Sequence, residues 1–209
     1  MFEAVEGSLQ RLQRDCLDVL QIHSPARAEL ESCDWADGMA RLQDQGKIRH
    51  AAVAIREPED GIWLIENDLV EVLQVTYNMF DTTVEDQLLP LAQEKGVGIL
   101  ARMPLARGVL SGKFEASKVI PEGNRAARDG ERALRRLEHI KTLQHITDVY
   151  PGGIARLALH FSLSHPAVSC IIPGARSIEQ LEQNVTAANG LGLSAALRAS
   201  IDEIRATWN

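Results

Sequence analysis

The chain falls in the α/β class, built around a parallel sheet, and three observations predict this. Five short apolar runs, most of them rich in Val, Ile or Leu, alternate with longer stretches of helical period. The runs are bounded by Gly, Pro, Asn or charged residues, and no Ser/Gly-rich linker breaks the series. Continuous apolar runs of this length suit strands buried on both faces, and the helical stretches between them suit crossovers.

The elements follow in order. Phe2, Val5, Leu9 and Leu12 form a stripe at helical spacing, which predicts a helix feeding the first strand over 17–22. Further strands are predicted over 48–55, 72–77, 97–103 and 168–172. The period of the intervening segments predicts helices over 36–45, 58–66, 84–95, 130–150 and 154–164, with two more, 178–188 and 194–207, after the last strand. The order is one helix, then five strand-and-helix repeats. Two architectures fit, a doubly wound open sheet and a (β/α) barrel, and both bind ligands at the carboxyl ends of the strands.

Composition bounds the function. The 209 residues are 45% hydrophobic and 24% charged, enough to bury a sizeable core. A net charge of −7 and a pI near 5.4 argue against a general nucleic-acid or anionic-membrane binder. The cationic stretch over 128–141 reads as one solvated helix face. Cys16, Cys33 and Cys170 lack CxxC spacing, and their odd number fits a reducing cytoplasm. No metal site is expected. The first residues, MFEAVEGSLQRLQRD, hold scattered charge and no apolar core, so neither a signal peptide nor a membrane span is expected there.

Two glycine-containing segments bear on cofactor chemistry. IPGARSIEQ, residues 171–179, places a glycine, an arginine and a hydroxyl where a strand gives way to a helix. Helix-start N–H groups and a guanidinium together suit a phosphate. The plainer reading of Arg176 is a surface arginine beside a helix start. Gly96, Gly98 and Ala101 spell G-x-G-x-x-A, but they lead into a strand and do not follow one. A tight helix-to-strand turn is the better account.

The segments SLQRLQRDCLDVLQIHSP (8–25), QGKIRHAAVAI (45–55), LQVTYNMFD (73–81), LLPLAQEKGVGILARMPLARGVLSGKF (88–114) and ALHFSLSHPAVSCIIPGARSIEQLEQN (158–184) resemble the aldo/keto reductases in order and spacing. Those enzymes are (β/α)8 TIM barrels that use NADPH, less often NADH, to reduce aldehydes and ketones. The resemblance implies an α/β fold, a partial barrel of five βα units that match the family's fourth to eighth, with the N-terminal three units absent. Residues 1–209 then form a single incomplete barrel domain.

The resemblance also assigns roles. It implies NADP(H) as cofactor, with Arg176 on the 2′-phosphate and Gly174, Gln180 and Asn184 around the adenosine. Gln183 stands where the family usually has the Glu that accepts from adenine, and its carbonyl can still accept. Leu105, Gly108 and Lys113 lie in the loop PLARGVLSGK, residues 104–113, which corresponds to the family's pyrophosphate border. Residues 115–129, rich in Gly, Pro and charge, correspond to a flap or a disordered segment. Gln74 matches the residue that binds the nicotinamide carboxamide. Arg102 stands where many members stack an aromatic ring, and an arginine plane also stacks.

Two departures limit the activity that resemblance implies. The family's G-V-S-N reads Ala52-Val53-Ala54-Ile55, so two polar carboxamide anchors are replaced. His23 matches the histidine of the Asp-Tyr-Lys-His tetrad, but no residue here is assignable as the Asp, Tyr or Lys. Hydride transfer to a carbonyl needs a proton for the oxygen, so these 209 residues alone are expected to be inactive. Three readings follow: the later part of a reductase acting on a small-molecule carbonyl, an NADP(H)-binding module without chemistry, and a regulatory or assembly subunit. Open sheet edges favour self-association in each.

Overall fold

A computed structural model describes residues 1–32, 34–114, 120–123, 125–190 and 192–208. Cys33 and parts of the 115–129 segment therefore lie outside the described residues. Five strands, β1 (Leu17–His23), β2 (Ile48–Ala54), β3 (Val72–Thr76), β4 (Gly98–Arg102) and β5 (Val168–Ile172), form one sheet in chain order. In a doubly wound sheet the strand order reverses at a switch point. The sequential order β1-β2-β3-β4-β5 has no such reversal.

The chain divides into two compact units, Met1–Val75 with Thr83–Leu100, and Thr76–Thr82 with Ala101–Asn209. The first contains α1 (Phe2–Leu12), α2 (Arg27–Ser32), α3 (Trp35–Asp44), α4 (Pro58–Glu66) and α5 (Leu88–Lys95). The stripe on α1 buries Val5 and Leu9, while Leu12 is exposed. Trp35, Met39 and Leu42 are the buried stripe of α3. Pro58 opens α4, where its missing N–H costs nothing, and Glu59 and Asp60 complement the helix dipole. Gly61 lets α4 approach its neighbours: an added Cβ would stand 2.5 Å from Leu88 Cδ1 and 2.7 Å from Ile55 Cδ1.

Parallel register sets the opposite face of this part of the sheet. Leu17 pairs with Ile48, and His23 with Ala54; Ala54 in turn pairs with Gln74. Along β3 the buried Leu73 and Val75 alternate with the half-buried Val72, Gln74 and Thr76.

The second unit contains α6 (Glu131–Thr142), α7 (Gln144–Thr147), α8 (Gly153–Leu163), α9 (Ile178–Thr186) and α10 (Ala195–Arg205), with 3-10 turns at Ala106–Ser111 and Arg125–Asp129. Its core includes Tyr77, Leu110, Leu143, Leu157 and Phe161, each fully buried. Arg205 ties α10 to the chain after β3, donating to the Met79 carbonyl at 2.6 Å and to Thr82 Oγ1 at 2.7 Å.

Three sequence expectations need correction. The helix expected over 84–95 begins at Leu88, because a start at 84 would put Pro90 in the helix interior against the Asp86 carbonyl. The single helix expected over 130–150 divides at Leu143, where the amide bonds the Ile140 carbonyl three residues back. Thr142 Oγ1 meanwhile donates to the His139 carbonyl at 2.6 Å, a local bond that competes with the helix ladder. Within the cationic stretch, Arg132, Arg135 and Lys141 are exposed, but the Arg136 side chain is only 12% exposed. Gly96 does form the expected turn, capping α5 in the left-handed conformation before Gly98 opens β4.

Candidate functional site

In the second unit, the turn between β5 and α9 gathers most of the candidate phosphate and adenosine residues. Ser177 caps α9, accepting from the Gln180 amide at 3.2 Å. Gln180 answers with its side-chain oxygen, which accepts from the Arg176 amide at 3.0 Å. Two N–H groups of this turn are thus engaged within the protein. Asn184 Nδ2 donates to the Gly174 carbonyl at 3.4 Å, one helical turn beyond Gln180. Gln183 Nε2 donates to Glu179 Oε1 at 3.3 Å.

Arg176 is exposed. Gly174 has no positive φ, and an added Cβ would meet nothing within 4 Å. Neither conformation nor crowding from the protein requires glycine there. The donor set therefore fits a phosphate-bearing group.

The loop after β4 is conformationally unusual. Met103, Ala106 and Arg107 have φ of 58°, 45° and 58°, and Gly108 follows at 101°. Such values in non-glycine residues are strained and persist where the surroundings hold them. Here Ala106, Val109 and Leu110 are buried, and Gly108 N–H donates to the Leu105 carbonyl at 2.8 Å. Lys113 is exposed at the end of this loop. Arg102, at the end of β4, donates through Nε to Thr76 Oγ1 at 3.1 Å, so a hydroxyl the sequence did not single out orients its plane.

In the first unit, the register puts His23, Ala54 and Gln74 in one row at the carboxyl ends of three adjacent strands. Strands stand about 4.8 Å apart, so His23 and Gln74 flank a gap of about 10 Å across the small Ala54. His23 is exposed and Gln74 half-buried. Ile55 is buried, and its Cδ1 faces Gly61 of α4, so the residue at the family's Asn position packs away from this row. Among the described residues, Gln21 Oε1 is a buried side-chain oxygen with no hydrogen-bond partner. It lies two residues before His23, on the same face of β1, and an orphan acceptor there is costly enough to call for a donor.

Tyr150 and His160 form a further polar pair. The tyrosine hydroxyl lies 2.6 Å from His160 Nδ1, and Nε2 lies 3.1 Å from the Ala187 carbonyl. The carbonyl requires a proton on Nε2, so the tyrosine donates to Nδ1. Burial lowers the pKa of His160 and raises that of Tyr150. Nothing in the spacing of residues 150 and 160 marks them as partners. Among the described residues no His, Cys, Asp or Glu cluster gathers to hold a metal, and no helix is long and apolar enough to cross a membrane.

Comparison with known proteins gives the same family by several routes. The aldo/keto reductase family pattern matches residues 1–206. The chain is 31% identical over 202 residues to a probable voltage-gated potassium channel subunit beta from Oryza sativa subsp. japonica, covering 88% of this chain and 60% of the relative. It is 28% identical over 192 residues to an NADH-specific methylglyoxal reductase from Escherichia coli, covering 90% of this chain and 59% of that protein. Its structure resembles the glycerol dehydrogenase of Gluconobacter oxydans with a TM-score of 0.82 at 25% identity, over 99% of this chain and 63% of the other. The 209 residues span about three-fifths of the length of these relatives.

Proposed function

The chain belongs to the aldo/keto reductase family, and from that premise we propose that it carries the cofactor half of an NADP(H)-dependent carbonyl reductase. The observation that carries this reading is the β5–α9 turn, where an exposed Arg176, an uncrowded Gly174 and the Gln180 and Asn184 side chains that bond this turn stand together. A bound dinucleotide supplies the hydride that reduces an aldehyde or ketone carbon, or accepts it from an alcohol. This chain's residues hold and orient the reactants. Arg176 pairs with the 2′-phosphate, which favours NADP(H) over NAD(H). Gln183 accepts from the adenine amino group, Leu105, Gly108 and Lys113 border the diphosphate, and Gln74 and Arg102 take the nicotinamide end. His23 donates toward the substrate carbonyl oxygen and orients it.

The five βα units are the later five of a barrel, and residues 1–209 form one incomplete domain. Exposure supports this. Ile178, Leu181 and Val185 of α9 are 77%, 54% and 64% exposed, an apolar stripe that a complete barrel would cover. Gln21 Oε1, lacking a donor, fits the same reading. The catalytic Asp, Tyr and Lys belong to the first three units, and without their general acid the reaction loses about 10²–10⁴-fold from proton transfer alone. The test is complementation. A polypeptide carrying the first three βα units of a relative, mixed with this chain, is expected to restore NADPH-dependent reduction of a small aldehyde; a stable complex without activity contradicts the proposal.

A second reading, a non-catalytic NADP(H)-binding or regulatory subunit, is favoured by Ala54 and Ile55 at the places of the two polar anchors. A relative named as a channel subunit beta agrees with it. The two readings share the β5–α9 site and differ in the complementation outcome. Neither invokes nucleic acid or a membrane surface, and both are consistent with a cytoplasmic protein that self-associates through uncovered edges.

A further inference from the structure

Asp129 ends the 3-10 turn Arg125–Asp129 with its side chain only 14% exposed. One carboxylate oxygen accepts from Arg107 at 2.6 Å and the other from Arg136 at 3.3 Å. Arg136 lies on α6 with its guanidinium 5.1 Å from the centre of the Phe80 ring. That side of the clasp is enclosed, and Asp129 is anchored by it. Arg107 is 40% exposed and sits in the middle of three consecutive left-handed residues, Ala106, Arg107 and Gly108. Burial of Ala106 holds one end of this strained turn; the Asp129 bond holds its centre. A guanidinium has five N–H donors, and the bond to Asp129 fixes the plane in which the others lie.

We propose that Asp129 is a positioning residue: it fixes Arg107, and through it the 106–108 turn, in the shape against which a dinucleotide's diphosphate binds. This rests on the reading that the loop of residues 104–113 borders the diphosphate. Neither Asp129 nor Arg107 need touch the adenosine 2′-phosphate, which is assigned to Arg176. The two ends of the cofactor can therefore be separated experimentally.

The experiment measures the affinity of the full chain for NADPH and for adenosine 2′-monophosphate, which has no diphosphate. It compares wild type, Asp129→Asn, Arg107→Gln and the double variant. Each single substitution is expected to weaken NADPH about tenfold and to leave the monophosphate within about twofold. The double variant is expected to match the singles, because both remove one device. Unchanged NADPH affinity in Asp129→Asn overturns the proposal, as do equal losses for both ligands, which would mark a merely structural role. Additive losses in the double variant overturn the route through Arg107. If Asp129→Asn does not fold, Arg107→Gln decides by the same two affinities. Failure of the underlying cofactor reading shows separately, in a wild type that binds neither ligand.

Discussion

His160 shows how one side chain links pH to stability. Its ring is buried, with Tyr150 on Nδ1, the Ala187 carbonyl on Nε2 and Arg156 near enough to disfavour a proton. Burial, then Arg156, hold its pKa below the ordinary 6.5. The folded state therefore keeps the neutral ring while the unfolded chain takes up the proton. Its contribution is complete above the unfolded value and shrinks as pH falls below it. Denaturant unfolding at about pH 7.5 and about pH 5.5 should show wild type losing stability on acidification and His160→Gln losing less. Equal slopes would contradict the assignment. Gly61 is a packing case: an added methyl would overlap Leu88 and Ile55, costing about 1–3 kcal/mol. That outweighs the gain of up to about 1 kcal/mol from alanine's helix propensity. Gly61→Ala should lower the Tm, and an unchanged Tm would contradict the packing. Neither effect was legible in the sequence. Nothing in the spacing of Tyr150, His160 and Ala187 says that they meet, and Gly61 looks like any helix glycine until its neighbours are placed.

At the scale of elements the sequence was more informative, because periodicity reports which face is buried. β5 and α4 fall where their patterns put them. Two helix bounds were misread where a local hydrogen bond or a proline competes with periodicity, at Thr142 before the break between α6 and α7 and at Pro90 in α5, and the short α2 was not expected. The β5–α9 turn was legible as a phosphate candidate because Gly174, Arg176 and Ser177 are adjacent in the chain. The Gln180 bond to the Arg176 amide was hidden in a rotamer. Ser177 caps α9, and a helix with no buried residue depends on its ends. Ser177→Ala should cost about 1 kcal/mol of local stability and increase hydrogen exchange across α9. Unchanged exchange there would mean that the cap contributes little.

On the scale of the whole molecule, strand order and family could be read from five motifs, since each pairs a strand end with residues of fixed spacing. The exposure of the α9 stripe could not, because a residue's exposure is a property of its neighbours. The proposal of a five-unit barrel wall predicts concentration-dependent self-association. Light scattering across a hundredfold dilution should show mass falling toward that of one chain, and a monodisperse monomer throughout would remove the motive for uncovered edges. The central claim, that the turn before α9 holds an NADP(H) 2′-phosphate, is tested most directly by titrating NADPH and NADH into wild type and Arg176→Ala. A charge-assisted bond of about 1.5–3 kcal/mol predicts that the substitution weakens NADPH by about 10- to 100-fold and leaves NADH within about twofold. NADPH curves that coincide for the two proteins would contradict it.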